Sequence, residues 1–262
     1  MNILFSDLDG TLLDANTPIS EKNSRALESF RQEGNKVVIC TGRNIFETRP
    51  VIEELKIPCD YAILNNGGHI INNKCETLYE EKISHDTGMK LIKEFIQYKD
   101  LTIMYSDGLR CEAYVNGKAY DHSVIPDVEI DPDFLGRADH SDGFQIICIY
   151  QNDQGFTTSK KLMDQINSIY SDELIAHQNQ FYVDIVPKGC SKSTGIQTLL
   201  KLIKEKHKNI YSIGDSFNDL TMIKWADQGC TFDYAPKEIQ EEADCVVHYV
   251  YEFIDMIKGD KI

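Results

Sequence analysis

The chain has 262 residues, 42% hydrophobic and 26% charged, with a formal net charge of −15 at neutral pH. That acidity argues against nucleic acid or an anionic membrane surface as partner, and any phosphate-binding site must carry its own local positive charge. No apolar run approaches the ~20 residues that span a bilayer, and the N-terminus has no signal-peptide pattern, so a cytoplasmic protein is expected. Eight cysteines lie at irregular spacing without a Cys-x-x-Cys pair. This fits reduced thiols, several of them (Cys40, Cys148, Cys245) packed as small hydrophobes, better than disulfides or zinc.

The apolar run Ile3-Leu4-Phe5 reads as a buried strand, and Asp7 stands where it ends. Asp9 follows two positions on, then Gly10 for a sharp turn. Two carboxylates this close repel unless a cation or proton intervenes, so the pair points to a metal site with one carboxylate free to react. A plain Asp-Gly turn is the simpler alternative. Ser20 to Gly34 has the pattern of a capped helix, and Lys36 to Cys40 that of a second buried strand. Strand, helix, strand at this spacing implies a right-handed parallel crossover, which brings Thr41 to the same sheet edge as Asp7. The Thr41 hydroxyl and Gly42 amide could hold a phosphoryl oxygen there, although both residues also favour simple turns.

Asn44 to Lys56 continues as a helix that Pro50 is expected to interrupt. A third strand, Tyr61 to Leu64, ends at Asn65-Asn66-Gly67, where Asn66 could face the site. A hairpin around Asn72-Asn73 follows. From about Ile83 the pattern changes. A helix spans Ser84 to Tyr98, a strand Leu101 to Tyr105, and a hairpin turns at Asn116-Gly117. The stretch Asp121 to Gly143 lacks periodicity and reads as loop or short helix. Phe144 to Tyr150 is a strand, Thr157 to Tyr170 a helix, and Leu174 to Val186 a hairpin across Asn179-Gln180. Helices alternating with hairpins fit a separate, mainly antiparallel α+β layer, assigned to 83–184.

Lys192 opens the next helix, where its charge opposes the macrodipole. The mismatch makes sense if Lys192 reaches a bound anion and nearby carboxylates; a solvated surface lysine is the alternative. The strand Asn209 to Ile213 then ends in Gly214-Asp215-Ser216-Phe217-Asn218-Asp219, a second acidic cluster on the predicted edge of Asp7. Leu220, Met222, Ile223 and Trp225 read as helix core. Gly229-Cys230-Thr231, a helix near Pro236 to Glu242, a strand at Cys245 to Val247 and a helix to Ile257 complete the chain.

Asp-x-Asp-Gly-Thr, Thr-Gly-Arg, a helix-start lysine and Gly-Asp-x-x-Asn-Asp, in that order, resemble the four motifs of the haloacid dehalogenase-like (HAD) superfamily, and its Cof-type branch in particular. The resemblance implies an α/β fold: a Rossmann-like, mainly parallel core from 1–82 and 185–262, with 83–184 inserted as a C2-type α+β cap. It implies a Mg²⁺-dependent phosphatase of small phosphorylated metabolites, sugar phosphates or phosphorylated cofactors, working as a monomer or homodimer. Catalytic roles would fall to Asp7 as nucleophile, Asp9 as a protonated general acid, Thr41 and Lys192. Gly42, Arg43, Asn66 and Asn218 would contact substrate, and Asp7, Asp9 (by its backbone carbonyl), Asp215 and Asp219 would hold the metal. Arg110, Tyr114, His177 and Tyr182 are candidate cap contacts. A phosphomutase, or a non-catalytic phospho-acceptor, is the rival reading. One departure stands out: relatives often carry a Met-Gly/Glu-Asn-Ala stretch where this chain has Phe232-Asp233-Tyr234-Ala235.

Overall fold

The computed structural model describes residues 1–13, 19–124, 127–151 and 156–259. In chain order, the first part comprises β1 (Ile3–Ser6), α1 (Glu21–Gln32), β2 (Lys36–Cys40), α2 (Ile45–Leu55), β3 (Tyr61–Leu64), β4 (His69–Asn72) and β5 (Thr77–Glu80). The middle comprises β6 (Ile83–Ser84), α3 (His85–Phe95), β7 (Leu101–Ser106), β8 (Cys111–Val115), β9 (Lys118–Asp121), β10 (Val128–Ile130), α4 (Phe134–Asp139), β11 (Gly143–Phe144), β12 (Ile146–Gln151), α5 (Phe156–Tyr170), β13 (Leu174–Asn179) and β14 (Tyr182–Pro187). The chain closes with α6 (Lys192–Ile203), β15 (Ile210–Ile213), α7 (Leu220–Trp225), β16 (Gln228–Phe232), α8 (Lys237–Gln240), β17 (Cys245–Val247) and α9 (Val250–Lys258).

Two large sheets organise these elements. The first runs β17-β16-β15-β1-β2-β3-β4-β5, parallel from β17 to β3, with β4 and β5 antiparallel at one edge. Strand periodicity divides its core between two faces. Leu4, Val37 and Ile39 pack with Leu27 and Phe30 of α1 and Phe253 and Ile254 of α9. Ile3, Phe5, Val38 and Cys40 pack with Ile196 and Leu199 of α6. With both faces covered, the central strands are mainly apolar; the buried Ser212 and Thr231 within them each bond a backbone carbonyl, of Met222 and Gly214.

The second sheet, β10-β9-β8-β7-β12-β14-β13, is antiparallel throughout. Ile147 and Ile149 of β12 turn toward a core that holds Phe95 of α3 and Ile166 of α5. Their neighbours Cys148 and Tyr150 face the other way, into a cleft between the two sheets. The Asn116-Gly117 turn has φ of 51° and 83°, the left-handed pair that a two-residue hairpin requires.

Several details differ from the sequence reading. α2 runs through Pro50 without a break. Its capping box (Asn44 with Glu47) fixes the first turn, and one forgone backbone bond does not end the helix. The Phe144 strand is split at Gln145 into β11 and β12, and the β13–β14 turn falls at Gln180-Phe181, one residue later than expected. The stretch from 121 to 143 contains a strand as well as a short helix; its residues 125 and 126 lie outside the described residues. β14 continues to Pro187, past the expected junction at 184. Trp225 is 38% exposed and Leu220 half-buried, because α7 is short and Met222 and Ile223 fill its buried face. Cys245 is half-buried, not enclosed like Cys40 and Cys148. Among the described residues, no helix is long and apolar enough to cross a membrane.

Candidate active site

The site forms where β15, β1 and β2, neighbours in the parallel sheet, end together. Asp7 follows β1, Thr41 follows β2 and Asp215 follows β15, so residues far apart in the chain meet at one edge. The Asp7 amide donates to the Ile213 carbonyl at 2.9 Å, which extends the β1–β15 pairing to the carboxylate itself. Gly10 completes the turn after β1 with φ +78°, and a Cβ there would stand 2.6 Å from Asp215 Oδ2. Only glycine permits this approach.

Asp7, Asp215 and Asp219 each present a carboxylate oxygen within 4.8 Å of the others. Lys192, 1% exposed, reaches the cluster from the first turn of α6. Its Nζ donates to Asp7 Oδ1 at 2.6 Å and to Asp219 Oδ1 at 2.5 Å. Burial pulls the lysine down, but Asp219 and Asp7 outweigh it and hold it above its ordinary range, protonated. Burial pushes the Asp7 carboxyl well up; Lys192 opposes this, while Asp219, Asp215 and Asp9 add to it. Burial, then Asp219, raises Asp215 to about 7 against a hydrogen bond from Thr11 Oγ1 at 2.9 Å. Two acids thus share one ammonium with a third, Asp215, beside them, and the cluster is short of positive charge.

Asp219 has both oxygens engaged, Oδ1 by Lys192 and Oδ2 by the amides of Asp215 and Ser216 at 3.1 and 2.9 Å. It braces the loop that carries Asp215. Asp9 differs from the expected protonated acid: Arg43 Nε donates to Oδ2 at 2.7 Å and Arg43 Nη2 to Oδ1 at 2.6 Å. This bidentate pair uses both oxygens as acceptors, so the proton-donor role requires Arg43 to move off first. Thr41 is buried, and its Oγ1 accepts from the Arg43 amide at 3.1 Å, which shapes the loop that aims Arg43. Gly42 lines the cleft, where a Cβ would lie 2.5 Å from Asp184 Oδ2.

Asn66 and Asn218 come together. Asn218 Nδ2 donates to Asn66 Oδ1 at 3.0 Å, and Asn66 Nδ2 donates to Asp184 Oδ2 at 2.9 Å. Asp184, on β14 of the second sheet, escaped the sequence reading. Its signal was a lone carboxylate inside the apolar strand Phe181–Val186. Burial raises it to about 6, against hydrogen bonds from Asn66 and Asn179. A second tie between the sheets joins His122, after β9, to Glu47 of α2 at 3.5 Å and to Asp127 at 2.8 Å. The Glu47 contact leads in raising His122 to about 9 despite burial. Tyr234, in the turn after β16, donates from its hydroxyl to the Gly10 carbonyl at 2.7 Å.

The cleft between the sheets has a volume of about 1320 Å³, and Asp9, Gly42, Arg43, Asp184 and Asp215 lie along it. Of the four candidate cap contacts, only Tyr182 lines it. His177 bonds the Cys190 carbonyl, Arg110 pairs with Asp107, and Tyr114 packs on Phe134, all turned to other neighbours. The donor set fits a hard divalent cation: buried carboxylates too close for their charge, and Asn218 Oδ1 buried with no protein donor among the described residues.

The family model of the haloacid dehalogenase-like hydrolases matches residues 4–252. A Bacillus subtilis protein, the 5-amino-6-(5-phospho-D-ribitylamino)uracil phosphatase YwtE, is 25% identical over 270 residues, covering 94% of this chain and 92% of that protein. Among solved structures, a haloacid dehalogenase-like hydrolase from Bacteroides thetaiotaomicron superposes with a TM-score of 0.73 at 21% identity, covering 98% of this chain and 99% of that one. The HAD subclass IIB sugar phosphatase BT4131 superposes with a TM-score of 0.75, also at 21% identity, over 100% of each chain. At such identity the structural likeness shows the fold alone; the family pattern, running through nearly the whole sequence, shows the lineage. This chain belongs to the haloacid dehalogenase-like hydrolases.

Proposed function

We propose that the protein is a Mg²⁺-dependent phosphatase that hydrolyses a small phosphorylated metabolite, a sugar phosphate or a phosphorylated cofactor, through an aspartyl-phosphate on Asp7. The observation that carries this reading is the meeting of Asp7, Asp215 and Asp219 at the carboxyl edge of a parallel sheet, with one buried lysine bonded to Asp7 and Asp219. Lys192 occupies Asp7 Oδ1, and no hydrogen bond engages Oδ2 among the described residues, so Oδ2 is the oxygen that attacks phosphorus. Mg²⁺ would be held by Asp7 and Asp215, with Asp219 and the Asp9 backbone carbonyl beside them, and when bound it neutralises charge on the phosphoryl group.

Lys192 and the Thr41–Gly42 turn bind the transferring oxygens. Arg43 is the group that an arriving phosphate dianion draws off Asp9. Freed from its partner, Asp9 takes up a proton, gives it to the leaving alcohol, and then receives one from the water that attacks the aspartyl-phosphate. The second sheet, residues 83–184 in the sequence reading, serves as a cap. Its contacts through Asp184 and His122 hold it over the strand ends, where it excludes bulk water.

The test is Mg²⁺-dependent release of phosphate from small esters, with acid-quench trapping of labelled protein. Wild type should turn over steadily and trap label, whereas Asp7→Asn should lose activity at least ~10³-fold and trap none. A single stable labelling without turnover would favour the phospho-acceptor reading. Transfer of the label to a second sugar hydroxyl would favour a phosphomutase.

A further inference from the structure

We propose that the alcohol esterified in the substrate carries a planar aromatic or heteroaromatic ring and bears no second phosphate or carboxylate. This narrows the phosphatase reading above and rests on it.

Three features of the cleft carry the inference. The first is an aromatic group on the β13–β14 hairpin and its neighbour strand. Tyr182 lies edge-on to Tyr150 at 4.9 Å between ring centroids and beside Phe181 at 4.2 Å. All three rings line the cleft. The hairpin tip sits against the catalytic edge, with the Gln180 amide 3.4 Å from Ser216 Oγ, one residue from Asp215. These rings therefore flank the place where the alcohol leaves.

The second is Tyr234, in the turn that follows β16 of the first sheet. Its ring stacks on Phe232 at 4.8 Å, while its hydroxyl is tied to Gly10 in the turn that carries Asp9. Held at both places, the ring is a fixed wall of the cleft, and at 54% exposure it still has surface to offer. Fixed aromatic walls on both sheets recognise a flat π surface at little cost in side-chain entropy.

The third is charge and polarity. Each basic group along the cleft is already matched by an acid: Arg43 by Asp9, His122 by Glu47 and Asp127, His248 by Asp233. Deeper in, the β-sheet face presents Met104, Ala113, Val115 and Cys148 around Asp184. A second anion there would be desolvated beside a carboxylate with no cation to meet it. A polyhydroxylated sugar seated on those four side chains would likewise give up water without return, and of the polar groups that also line the cleft, Asn179 and Glu47 are already engaged, with Asp184 and with Asn44 and His122. A flat ring with one or two donors loses little and can address Asp184.

The experiment compares kcat/KM, with Mg²⁺, for flavin mononucleotide, pyridoxal 5′-phosphate, glucose 6-phosphate, fructose 1,6-bisphosphate and the ring-free acyl phosphate acetyl phosphate. One aromatic ester should exceed glucose 6-phosphate at least tenfold, with the bisphosphate poorer still. Tyr182→Leu should lower the aromatic-to-sugar ratio about tenfold, and Tyr182→Phe should keep it. Either sugar ester matching the better aromatic one, or a ratio unmoved by Tyr182→Leu, overturns the inference while leaving the phosphatase reading intact. Turnover of none of the five, acetyl phosphate included, overturns that reading and the inference together.

Discussion

Replacing Lys192 by methionine tests the electrostatic logic of the site most directly. Methionine keeps the length of the buried stem and removes the ammonium, so two short charge-assisted bonds vanish, at 2.6 Å to Asp7 and 2.5 Å to Asp219. The carboxylates stay buried and within 4.8 Å of Asp215. Removing one partner of a buried ion pair costs about 3–5 kcal/mol, mostly the penalty of the charge left behind. For a chain of this size that is roughly 6–20 °C in Tm. The assay is thermal unfolding of wild type and Lys192→Met in EDTA, at pH 8 and pH 5. Burial raises both Asp7 and Asp215 in the folded state; the contribution of Asp215 to stability is fully present below the ordinary carboxylate range and is lost as pH rises through about 7, and that of Asp7 falls in the same direction. At pH 5 they take up protons and the variant's deficit should fall below half its value at pH 8. An equal deficit at both pH values would mean that Lys192 matters for packing alone, and would refute the charge argument.

Two further outcomes follow from the same geometry. Mg²⁺ should stabilise the wild type more at pH 8 than at pH 5.5, because its ligands must be deprotonated, by about 2.7 kcal/mol at a hundredfold excess over Kd; scanning calorimetry with Mg²⁺ against EDTA checks this, and a shift independent of pH would contradict it. His122, raised to about 9 by Glu47 and Asp127, lends stability that is complete below about pH 6.5 and lost as pH rises through 9. His122→Gln should therefore be less stable than wild type by about 1–2 kcal/mol at pH 7, allowing for the part of the ring that solvent reaches, and level with it by pH 10 in urea titrations.

Much of this protein is legible in its sequence because the physics is local there. Buried parallel strands announce themselves as apolar runs, Ile3 to Phe5 and Lys36 to Cys40, and the polar residues that end them mark the ligand edge. Ser20, Asn44, Ser84 and Ser191 cap helices where their side chains reach the nearby amides. Motif order then names Asp7, Lys192 and Asp215 together. What the sequence leaves open depends on distance across the fold. Nothing near Asp9 reveals that Arg43, 34 residues on, takes both its oxygens. Asp184 looks like a stray charge in a strand until the second sheet folds over and sets it against Asn66. Tyr234 becomes a wall of the cleft only by bonding Gly10, 224 residues away. Propensity, capping and period decide which elements form, since each is fixed within a few residues. Which acid is shared, braced or free is decided by neighbours that only tertiary packing supplies, because Coulomb and desolvation terms follow separation in space.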